Sequence, residues 1–411
     1  MALKYLYVPS GYKASKAYGV LPNDSSADFD QFVRATSATR TNKDGLIESM
    51  GNNIPRIDHS DGGCPSLLLE EQKINICKYS ENILSWGANP SNWGGTRTSN
   101  VLTSPDGSKS ADLISVIQQS GVYTQTMNVT QGTAYSSSVY AKHISGTSIL
   151  KFAITRNFHA GTGTDEKGIF VDLSDGSIIS NTIGELATVK VVDAGNGWYR
   201  LCLQNHVASA NANANVTCYA QDTSFSEYSI WGGQVEVGEY ASSYIPNLSN
   251  GATTRNNDAG NWAGNFDFNS SEGVLEARFK AFPMSIPSSR ITLAADINNR
   301  IVLGYLGGSN DPKPFLLIIS PSGGVDEVNI SMPSSFNLFD YNTYQLKFQS
   351  GNNELKINGE LVDTDNTFKT HTFAFDSALK NISLNIHGTA AQRRFFGGIK
   401  HIKVYDSITD F

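Results

Sequence analysis

Paired carboxylates are the groups of this chain that could cleave a glycosidic bond, because that reaction uses two carboxyl groups held about 5 to 9 Å apart. Glu236 and Glu239 stand three residues apart across a predicted turn, and Glu276 is predicted to face away from Leu275. The acidic pair 165–166 lies in a Gly/Thr-rich loop. No Glu-x-Asp-x-x-Glu type of run lies on one predicted strand. We therefore predict no catalytic residues and a protein that is not an enzyme.

Nucleophile and phosphate-binding motifs give no further support for catalysis. A serine nucleophile elbow needs Gly-x-Ser-x-Gly, which does not occur, and a phosphate-binding loop needs Lys-Ser/Thr followed by a helix. The glycine-rich run 161–164 has neither continuation. Six of the seven histidines are separated along the sequence and are interpreted as surface or hydrogen-bonded structural residues: His143, His159, His206, His371, His387 and His401.

Four aspartates have the chemistry to hold a structural calcium ion, since Ca²⁺ prefers carboxylate and carbonyl oxygens. They lie in two predicted turns: Asp172, Asp175, Asp363 and Asp365. The favoured alternative is that they are solvated turn carboxylates. No other cofactor is indicated.

Glycan binding requires exposed aromatic rings that stack on sugar faces, beside groups that hydrogen-bond hydroxyls. Five aromatic residues lie in or beside Gly/Asn-rich loops and could serve: Trp86, Trp93, Tyr123, Phe158 and Trp262. Each could instead belong to a core or an interface. The loop around Trp86 and Trp93 is the best single patch. Trp198 and Trp231 fall within predicted strands and are assigned to packing.

The composition is that of an all-β protein. Hydrophobic residues make up 39% and charged residues 17%, and the rest is rich in Ser, Thr, Asn and Gly, as in chains with many turns. A length of 411 residues exceeds one ordinary core and predicts two or three domains. Lys and Arg are scattered and the net charge is −7, so we predict no nucleic-acid binding.

The N-terminus and the cysteines indicate a soluble protein with free thiols. Residues 1–7 lack the cationic region and apolar core of a signal peptide, and no apolar run approaches the ~20 residues that span a bilayer. We therefore predict synthesis in a cytoplasm and no membrane contact. Cys64, Cys77, Cys202 and Cys218 show no metal-binding spacing. They are interpreted as thiols packed like small hydrophobes, with a Cys202–Cys218 bridge as the alternative.

Short predicted strands recur through residues 76–250 at the spacing of a sandwich. They are 123–129, 134–142, 149–155, 168–172, 188–192, 198–204, 216–220 and 228–237. The turn signals Asp175-Gly176 and Gly195-Asn196-Gly197 separate some of them. The run 231–246 is predicted to form the last strand, then a turn at glycine, then a segment with two tyrosines that ends at a proline. This run would close the sandwich.

Residues 256–411 are predicted to form a second antiparallel sandwich. The segments 274–280 and 344–349 alternate with period two. Asn358-Gly359 is a strong hairpin signal, and 399–406 is predicted as the last strand.

Residues 1–75 do not look like an independent domain, since they contain few core-forming residues and no helical period. They carry tyrosines interleaved with Gly and Pro, which we predict to serve in attachment: Tyr5, Tyr7, Tyr12 and Tyr18. The segment should order against another subunit or the following domain, and deletion of 1–70 should leave both sandwiches folded. The predicted fold is thus all-β: two tandem antiparallel β-sandwiches, 76–250 and 256–411, after an extended attachment segment.

Residues 39–44 and 254–258 are weakly similar in sequence, and each segment lies near a predicted domain junction. Coincidence in a Thr/Asn-rich chain is one interpretation. The other is that Arg40 and Arg255 each pin a linker to a sandwich wall through a carboxylate.

Four blocks near the N-terminus resemble the start of a family of tailed-bacteriophage structural proteins. They are 7–14, 38–48, 55–58 and 63–70. In that family such blocks precede a carbohydrate-binding-module-like jelly roll and then a concanavalin A/laminin-G-like sandwich. The segments 344–348, 355–359 and 398–406 are similar to the latter.

The resemblance implies a virion protein, either a head fibre, a head spike or a tail fibre. It would be made in the host cytoplasm and would assemble as a homo-oligomer, most often a trimer and sometimes a dimer. Its partners would be other capsid or tail proteins and a host-surface or environmental glycan. A capsid decoration or fibre without a ligand is the competing class, and a polysaccharide depolymerase is a more distant one. No ligand residues carry over from the family.

Overall fold

A computed structural model describes residues 2–13, 15–21, 31–89, 95–155, 166–183, 188–220, 224–261, 264, 266–282, 289–306, 313–321, 324–329, 336–362, 366–384, 394–409 and 411. The chain divides into two compact units, each built from separate stretches. Unit 1 comprises Met1–Ser37, Met50–Glu71 and Asn256–Phe411, and unit 2 comprises Ala38–Ser49 and Gln72–Arg255.

Nearly all regular structure in the described residues is β-strand. The strands up to residue 75 are β1 Leu3–Lys13, β2 Lys16–Leu21, β3 Gln31–Val33, β4 Ala38–Thr41, β5 Ile47–Met50, β6 Arg56–Asp58, β7 Ser66–Leu69 and β8 Lys73–Asn75. Those up to residue 255 are β9 Gly87–Asn89, β10 Thr96–Leu102, β11 Ala111–Val116, β12 Gly121–Tyr123, β13 Met127–Val129, β14 Ala134–Gly146, β15 Ile149–Thr155, β16 Glu166–Asp172, β17 Ser177–Ile183, β18 Thr188–Asp193, β19 Trp198–Val207, β20 Ala212–Ala220, β21 Ser226–Val237 and β22 Thr253–Arg255. The remaining strands are β23 Ala259–Asn261, β24 Glu272–Ala281, β25 Ser289–Ala294, β26 Arg300–Leu306, β27 Lys313–Ser320, β28 Gly324–Asn329, β29 Asn342–Gln349, β30 Glu354–Ile357, β31 Glu360–Val362, β32 Asn381–Ser383 and β33 Gly397–Tyr405. A 3-10 turn covers Ile83–Ser85 and a short helix, α1, covers Asn366–Thr370.

Unit 1 is an antiparallel β-sandwich. One sheet has nine strands, in the order β2-β1-β33-β24-β29-β30-β31 with β7 on β33 and β6 on β7, and the other runs β28-β27-β26-β25-β32-β23-β3. Alternate residues of both sheets meet in one core, for example Leu346 of β29 and Ile301 of β26, which are fully buried. The period-two alternation predicted for 344–349 is therefore confirmed.

Unit 2 is a second antiparallel β-sandwich. Its sheets run β10-β11-β21-β14-β19-β18 and β17-β16-β15-β20-β12-β9, with β13 on β20. Val139 and Leu201 from the first sheet share a core with Phe152 and Val216 from the second. The prediction of an all-β fold with two sandwiches is confirmed.

The N-terminal strands belong to unit 1 and do not form a separate segment. β1 pairs with β33 through Tyr5 with Val404 and Tyr7 with Ile402. The rings of Tyr5 and Tyr7 are 1% and 0% exposed in the core, which corrects their predicted role in attachment. Tyr12 packs partly buried against the same core, and the side chain of Tyr18 lies outside the described residues.

The stretch predicted as one segment, 1–75, is divided between the two units. Its partners in unit 1, such as β33, lie more than three hundred residues away in sequence, so local patterns could not show them. Deleting residues 1–70 would remove β1, β2, β6 and β7 from the nine-stranded sheet. That deletion is therefore expected to disrupt unit 1, contrary to the expectation from the sequence.

A buried ionic cluster, which we call the Asp258 cluster, joins three stretches of unit 1. Arg34 Nη1 donates to Asp258 Oδ1 at 2.9 Å, and Arg56 Nη1 donates to Glu70 Oε2 at 2.7 Å. Arg56 Nη2 also binds Asp258 Oδ2, which accepts the backbone N–H of Glu70 at 2.8 Å. Burial disfavours the charge on Arg56, but Asp258 and Glu70 outweigh that effect and raise its pKa. The four charges compensate one another inside the protein.

The two arginines singled out from the sequence make other contacts. Arg40 pairs with Glu48 at 2.9 Å across the β4–β5 hairpin. Arg255 donates to the hydroxyls of Ser242 at 3.2 Å and Ser243 at 2.8 Å. The residues of the Asp258 cluster hold separate stretches of unit 1 together through carboxylates.

One hairpin signal is confirmed, and so is the interpretation of three of the four cysteines as packed thiols; for Cys64 that interpretation is wrong. Asn358 and Gly359 have φ of 53° and 88° between β30 and β31, as a two-residue hairpin turn requires. The thiols of Cys77, Cys202 and Cys218 are buried and free, whereas Cys64 is free but exposed. Within the described ranges, no helix is long and apolar enough to cross a membrane.

Candidate functional site

The aromatic residues proposed from the sequence do not form one patch. Trp86 is only 2% exposed, and its indole Nε1 donates to the carbonyl of Tyr79 at 3.1 Å. It belongs to the core of unit 2, because the 3-10 turn before it directs the ring inward against Gly233 and Cys77. The prediction that Trp86 is an exposed ligand residue is therefore wrong.

Only one proposed ligand residue lies on an outer surface of the described structure. Tyr123 is half-buried on β12, at the outer face of the seven-stranded sheet of unit 2. The other three lie outside the described residues: Trp93, Phe158 and Trp262.

Strand register brings further aromatic residues to the same face as Tyr123. In one row Tyr123 pairs with Thr217 of β20, which pairs with Ala153 of β15. In the next row Gly121 pairs with Tyr219, Tyr219 with Lys151 and Lys151 with Phe170. We call this surface, formed by Tyr123, Phe170, Tyr219 and Lys151 around the buried Thr217, the aromatic face.

The residues between these positions point inward and fix the orientation of the aromatic face. Val122, Phe152, Ile169 and Cys218 are fully buried in the core of unit 2. Because side chains alternate along a strand, their neighbours Tyr123, Phe170 and Tyr219 must point outward. The three rings are half-buried, so one part of each is held by the protein and the rest is accessible.

Small residues let the rings of the aromatic face lie close to the sheet. A Cβ atom at Gly87 of β9 would overlap the ring of Tyr123, so the ring lies directly over that glycine. A Cβ atom at Gly121 would overlap the carbonyl oxygen of Cys218 on the neighbouring strand. Glycine is thus required at both positions by close approach.

Polar groups accompany the rings. The Lys151 ammonium lies 6.0 Å from the ring centroid of Tyr219, within the range of a cation–π contact. Asn215 donates its amide to the carbonyl of Thr124 at 2.7 Å, and Thr217 donates its hydroxyl to the carbonyl of Ala153 at 3.3 Å. Asn215 and Thr217 are themselves buried, so the accessible part of the face consists of the aromatic rings and the Lys151 ammonium.

The opposite surface of unit 2 shows aromatic residues in a structural role. Trp198, Trp231, Tyr140 and Tyr244 are at most 6% exposed and form one cluster on the outer side of the six-stranded sheet. Trp231 and Tyr244 have ring centroids 4.7 Å apart. The assignment of Trp198 and Trp231 to packing is confirmed.

The run 231–246 closes this surface by hydrogen bonds. Glu236 is fully buried and accepts the backbone N–H of Ser242 at 2.6 Å and its hydroxyl at 2.7 Å. Gln234 donates to Glu236 at 2.9 Å and accepts the backbone N–H of Ile245 at 2.7 Å. Glu236 is thus committed to folding the chain back over its own strand.

Two of the proposed metal ligands stabilise turns. Asp172 accepts the backbone N–H and the hydroxyl of Ser174 at 2.9 and 2.7 Å, and hydrogen bonds from Ser148 and Ser174 lower its pKa. Asp175 accepts the backbone N–H of Ser177 at 2.8 Å. Asp363 and Asp365 lie outside the described residues, and the described part of the chain contains no group of three or more metal-ligating side chains. Structural calcium stays a prediction.

The sequence carried a signal for the residues that were missed. Phe170 and Tyr219 lie inside strands predicted at 168–172 and 216–220, at positions that alternate with apolar neighbours. An aromatic residue on the outward side of a strand indicates a possible ligand-binding residue. The indication becomes specific only when several such residues share one face of a sheet, which the sequence alone does not show.

Comparison with known proteins finds distant structural likenesses. No protein-family model matches the chain, and no curated protein matches its sequence. The CBM40 domain of the Ruminococcus gnavus IT-sialidase, bound to α2,3-sialyllactose, is 19% identical with a TM-score of 0.27, over 34% of this chain and 78% of that domain.

Two longer proteins are also similar in part. The Trypanosoma rangeli sialidase is 11% identical with a TM-score of 0.26, and the match covers 73% of this chain and 59% of the sialidase. Domains LG4-5 of the mouse laminin α1 chain are 8% identical with a TM-score of 0.23, over 80% of this chain and 91% of theirs. These likenesses are too distant to identify a family.

Proposed function

We propose that the chain is a non-enzymatic glycan-binding protein whose aromatic face in unit 2 is the binding surface. The observation that carries this proposal is the placement of Tyr123, Tyr219 and Phe170 on one outer sheet face, over glycine and other small residues. Half-buried rings keep their orientation without a ligand, which reduces the entropy lost on binding.

The chemistry of the face suits a neutral sugar. The C–H faces of a pyranose ring pack on aromatic rings, while hydroxyl groups accept and donate hydrogen bonds at the edges. Lys151 beside Tyr219 supplies a donor at the edge of the rings. A single face of this size supports modest affinity, which many copies on one particle would amplify.

The setting we propose is a bacteriophage virion. Support comes from the resemblance of four N-terminal blocks to tailed-phage structural proteins, including 55–58 and 63–70. In that setting the chain would be a homo-oligomeric fibre or spike that binds other capsid or tail proteins and host or environmental glycans. A capsid decoration without a ligand is the competing function, and the aromatic face favours the glycan-binding form.

The test is binding of the full-length chain to an array of neutral oligosaccharides, followed by titration calorimetry with the best ligand. We expect Tyr123→Ala and Tyr219→Ala each to weaken binding by about tenfold, or ~1.4 kcal/mol. Phe225→Ala is the matched control, because Phe225 is an exposed aromatic residue of the same unit that directly precedes β21 of the other, six-stranded sheet.

Two outcomes would contradict the proposal. One is that no neutral glycan binds the folded chain, which would favour a decoration without ligand. The other is that Phe225→Ala weakens binding as much as the two tyrosine variants. Release of reducing ends from a bound polysaccharide would instead indicate an enzyme. Labelling intact particles with an antibody to the chain would test the virion setting separately.

A further inference from the structure

An extra residue in β33 changes the chemistry of the nine-stranded sheet of unit 1. Arg278 of β24 pairs with His401, but the next residue, Phe279, pairs with Ile399, so Lys400 is bulged out of the register. Ile399 and Ile402 are both fully buried. The bulge therefore leaves both Lys400 and His401 outside the core.

Further cations from the same strands surround this bulge. Arg278 is exposed, and Lys280 and Lys403 are half-buried. We call the surface formed by Arg278, Lys280, Lys400, His401 and Lys403 the basic face. It is an exception in an acidic chain, which has 38 Asp and Glu against 31 Lys and Arg.

Tyr341 fixes the positions of two lysines of the basic face. The Nζ atoms of Lys400 and Lys280 lie 4.4 and 5.0 Å from the centroid of its ring. Its hydroxyl donates to Asp61 Oδ2 at 3.1 Å. A Cβ atom at Gly398 would overlap that hydroxyl, so the ring lies on the sheet beside the bulge.

Carboxylates neutralise part of the basic face. Lys280 pairs with Asp61 at 2.6 Å, and Glu276 Oε1 lies 2.7 Å from Lys403 Nζ and 2.9 Å from His401 Nε2. Asp58, which is buried near Tyr341, accepts the backbone N–H of Ser60 at 3.1 Å. These pairs do not involve Arg278 or Lys400.

Arg278 and Lys400 are the cations available to a ligand. In the described part of the chain neither forms an ion pair with a carboxylate, and the Lys400 ammonium lies over the Tyr341 ring. A guanidinium can bind a carboxylate or sulfate through two parallel hydrogen bonds, and the nearby ammonium adds a second charge.

We propose that the basic face binds an acidic polysaccharide, with Arg278 and Lys400 each contacting a carboxylate or sulfate group. The site lies on unit 1 and is independent of the aromatic face. Lys280, Lys403 and His401 already have carboxylate partners and therefore contribute less to the binding of an anion.

The test measures binding of the full-length chain to polygalacturonate, dextran sulfate and uncharged dextran at low and high salt. We expect Arg278→Gln with Lys400→Gln to weaken binding to the acidic polymer by at least about tenfold. The slope of log Kd against log salt should become shallower by about one unit or more, because fewer counterions are released.

Binding of polygalacturonate alone would assign carboxylate recognition, binding of dextran sulfate alone would assign sulfate recognition, and binding of both would assign general anion recognition.

Two further variants keep the test decisive. Lys43→Gln with Lys109→Gln removes the same charge from two exposed lysines of unit 2 and should leave binding unchanged. Arg278→Lys with Lys400→Arg keeps both charges and should retain binding even if the neutral variant folds poorly. Equal weakening in the unit 2 control, or no binding to either acidic polymer at low salt, would overturn the proposal. Tyr123→Ala with Tyr219→Ala should leave acidic binding intact, which separates this site from the neutral-glycan surface.

Discussion

Unit 1 and unit 2 share one architecture but use different chemistry outside their cores. Unit 1 relies on charge, both in the buried Asp258 cluster and on the basic face. Unit 2 relies on aromatic rings, both in the covered cluster around Trp231 and on the aromatic face. The difference shows that two sandwiches of one architecture can hold additional chain segments by different means: buried ion pairs in unit 1, and packed rings together with the hydrogen bonds of Glu236 in unit 2. The basic face and the aromatic face are the surfaces that we propose bind ligands.

The largest expected effect comes from removing the charge at the centre of the Asp258 cluster. Asp258→Asn leaves Arg34 and Arg56 buried without full compensation, so unit 1 should lose about 3–5 kcal/mol of unfolding free energy. Hydrogen exchange measured by mass spectrometry should show faster exchange in β6, β7 and β33, with unit 2 unchanged. Asp340→Asn, at an exposed aspartate of unit 1, is the control. An equal effect on both units would remove the contrast between them.

A smaller effect is expected in the aromatic cluster of unit 2. Trp231→Phe keeps an apolar ring but loses the 3.0 Å hydrogen bond from Nε1 to Ser110 Oγ and leaves a cavity beside Tyr244. We expect a loss of about 1–3 kcal/mol, confined to unit 2. Chemical denaturation followed by hydrogen exchange measures it, with Phe225→Leu as an exposed control. If Trp231→Phe changed the unfolding free energy of unit 2 no more than Phe225→Leu does, the aromatic cluster would not stabilise this side of the sheet.

Acid should affect the two units in different pH ranges. Burial lowers the pKa of His206 in unit 2 from 6.5 to about 4, so the unfolded chain takes up the proton first and unit 2 loses stability as the pH falls from about 6.5 to 4.

In unit 1, burial opposes ionisation of Glu276, but hydrogen bonds from His401, Lys403 and Gln345 outweigh it and lower its pKa from 4.5 to about 2. The stability that ionised Glu276 contributes to unit 1 is fully present above the pKa of this group in the unfolded chain. That stability is lost as the pH falls from about 4.5 to 2. In a plot of unfolding free energy against pH, His206→Gln should remove only the loss of stability between about pH 6.5 and 4. Glu276→Gln should remove only the loss between about pH 4.5 and 2. Loss of both ranges in one variant would contradict this assignment.

The smallest expected effect tests the orientation of one ring. Gly87→Ala places a methyl group where the Tyr123 ring now lies, so the ring must move while its chemistry is kept. Binding of a neutral glycan should weaken several-fold, and binding of an acidic polymer should not change. Gly251→Ala is the control, because its nearest heavy atom would be 3.6 Å away. Unchanged glycan affinity would show that the Tyr123 orientation is not important.

Local patterns were sufficient for the fold class and for several turns. Alternating residues in β29, the Asn358-Gly359 turn and the strand positions of Phe170 and Tyr219 can all be seen within about ten residues of sequence, because pleat and turn geometry depend on neighbouring residues. The same patterns could not separate an exposed tryptophan from a buried one. A Gly/Asn-rich setting suggested that Trp86 was accessible, but the 3-10 turn before it directs the ring into the core.

The amino-acid sequence by itself determined that this protein is built from antiparallel strands in two sandwiches, because alternation and turn residues act over short distances. Only the tertiary structure decided which strands share a sheet. It placed the N-terminal strands beside β33 and brought the charges of the Asp258 cluster together. It also placed Tyr123, Tyr219 and Phe170 in neighbouring rows of one sheet face. These arrangements depend on pairings between residues far apart in sequence, where the side chains of many strands must share one core, and no local pattern records that choice.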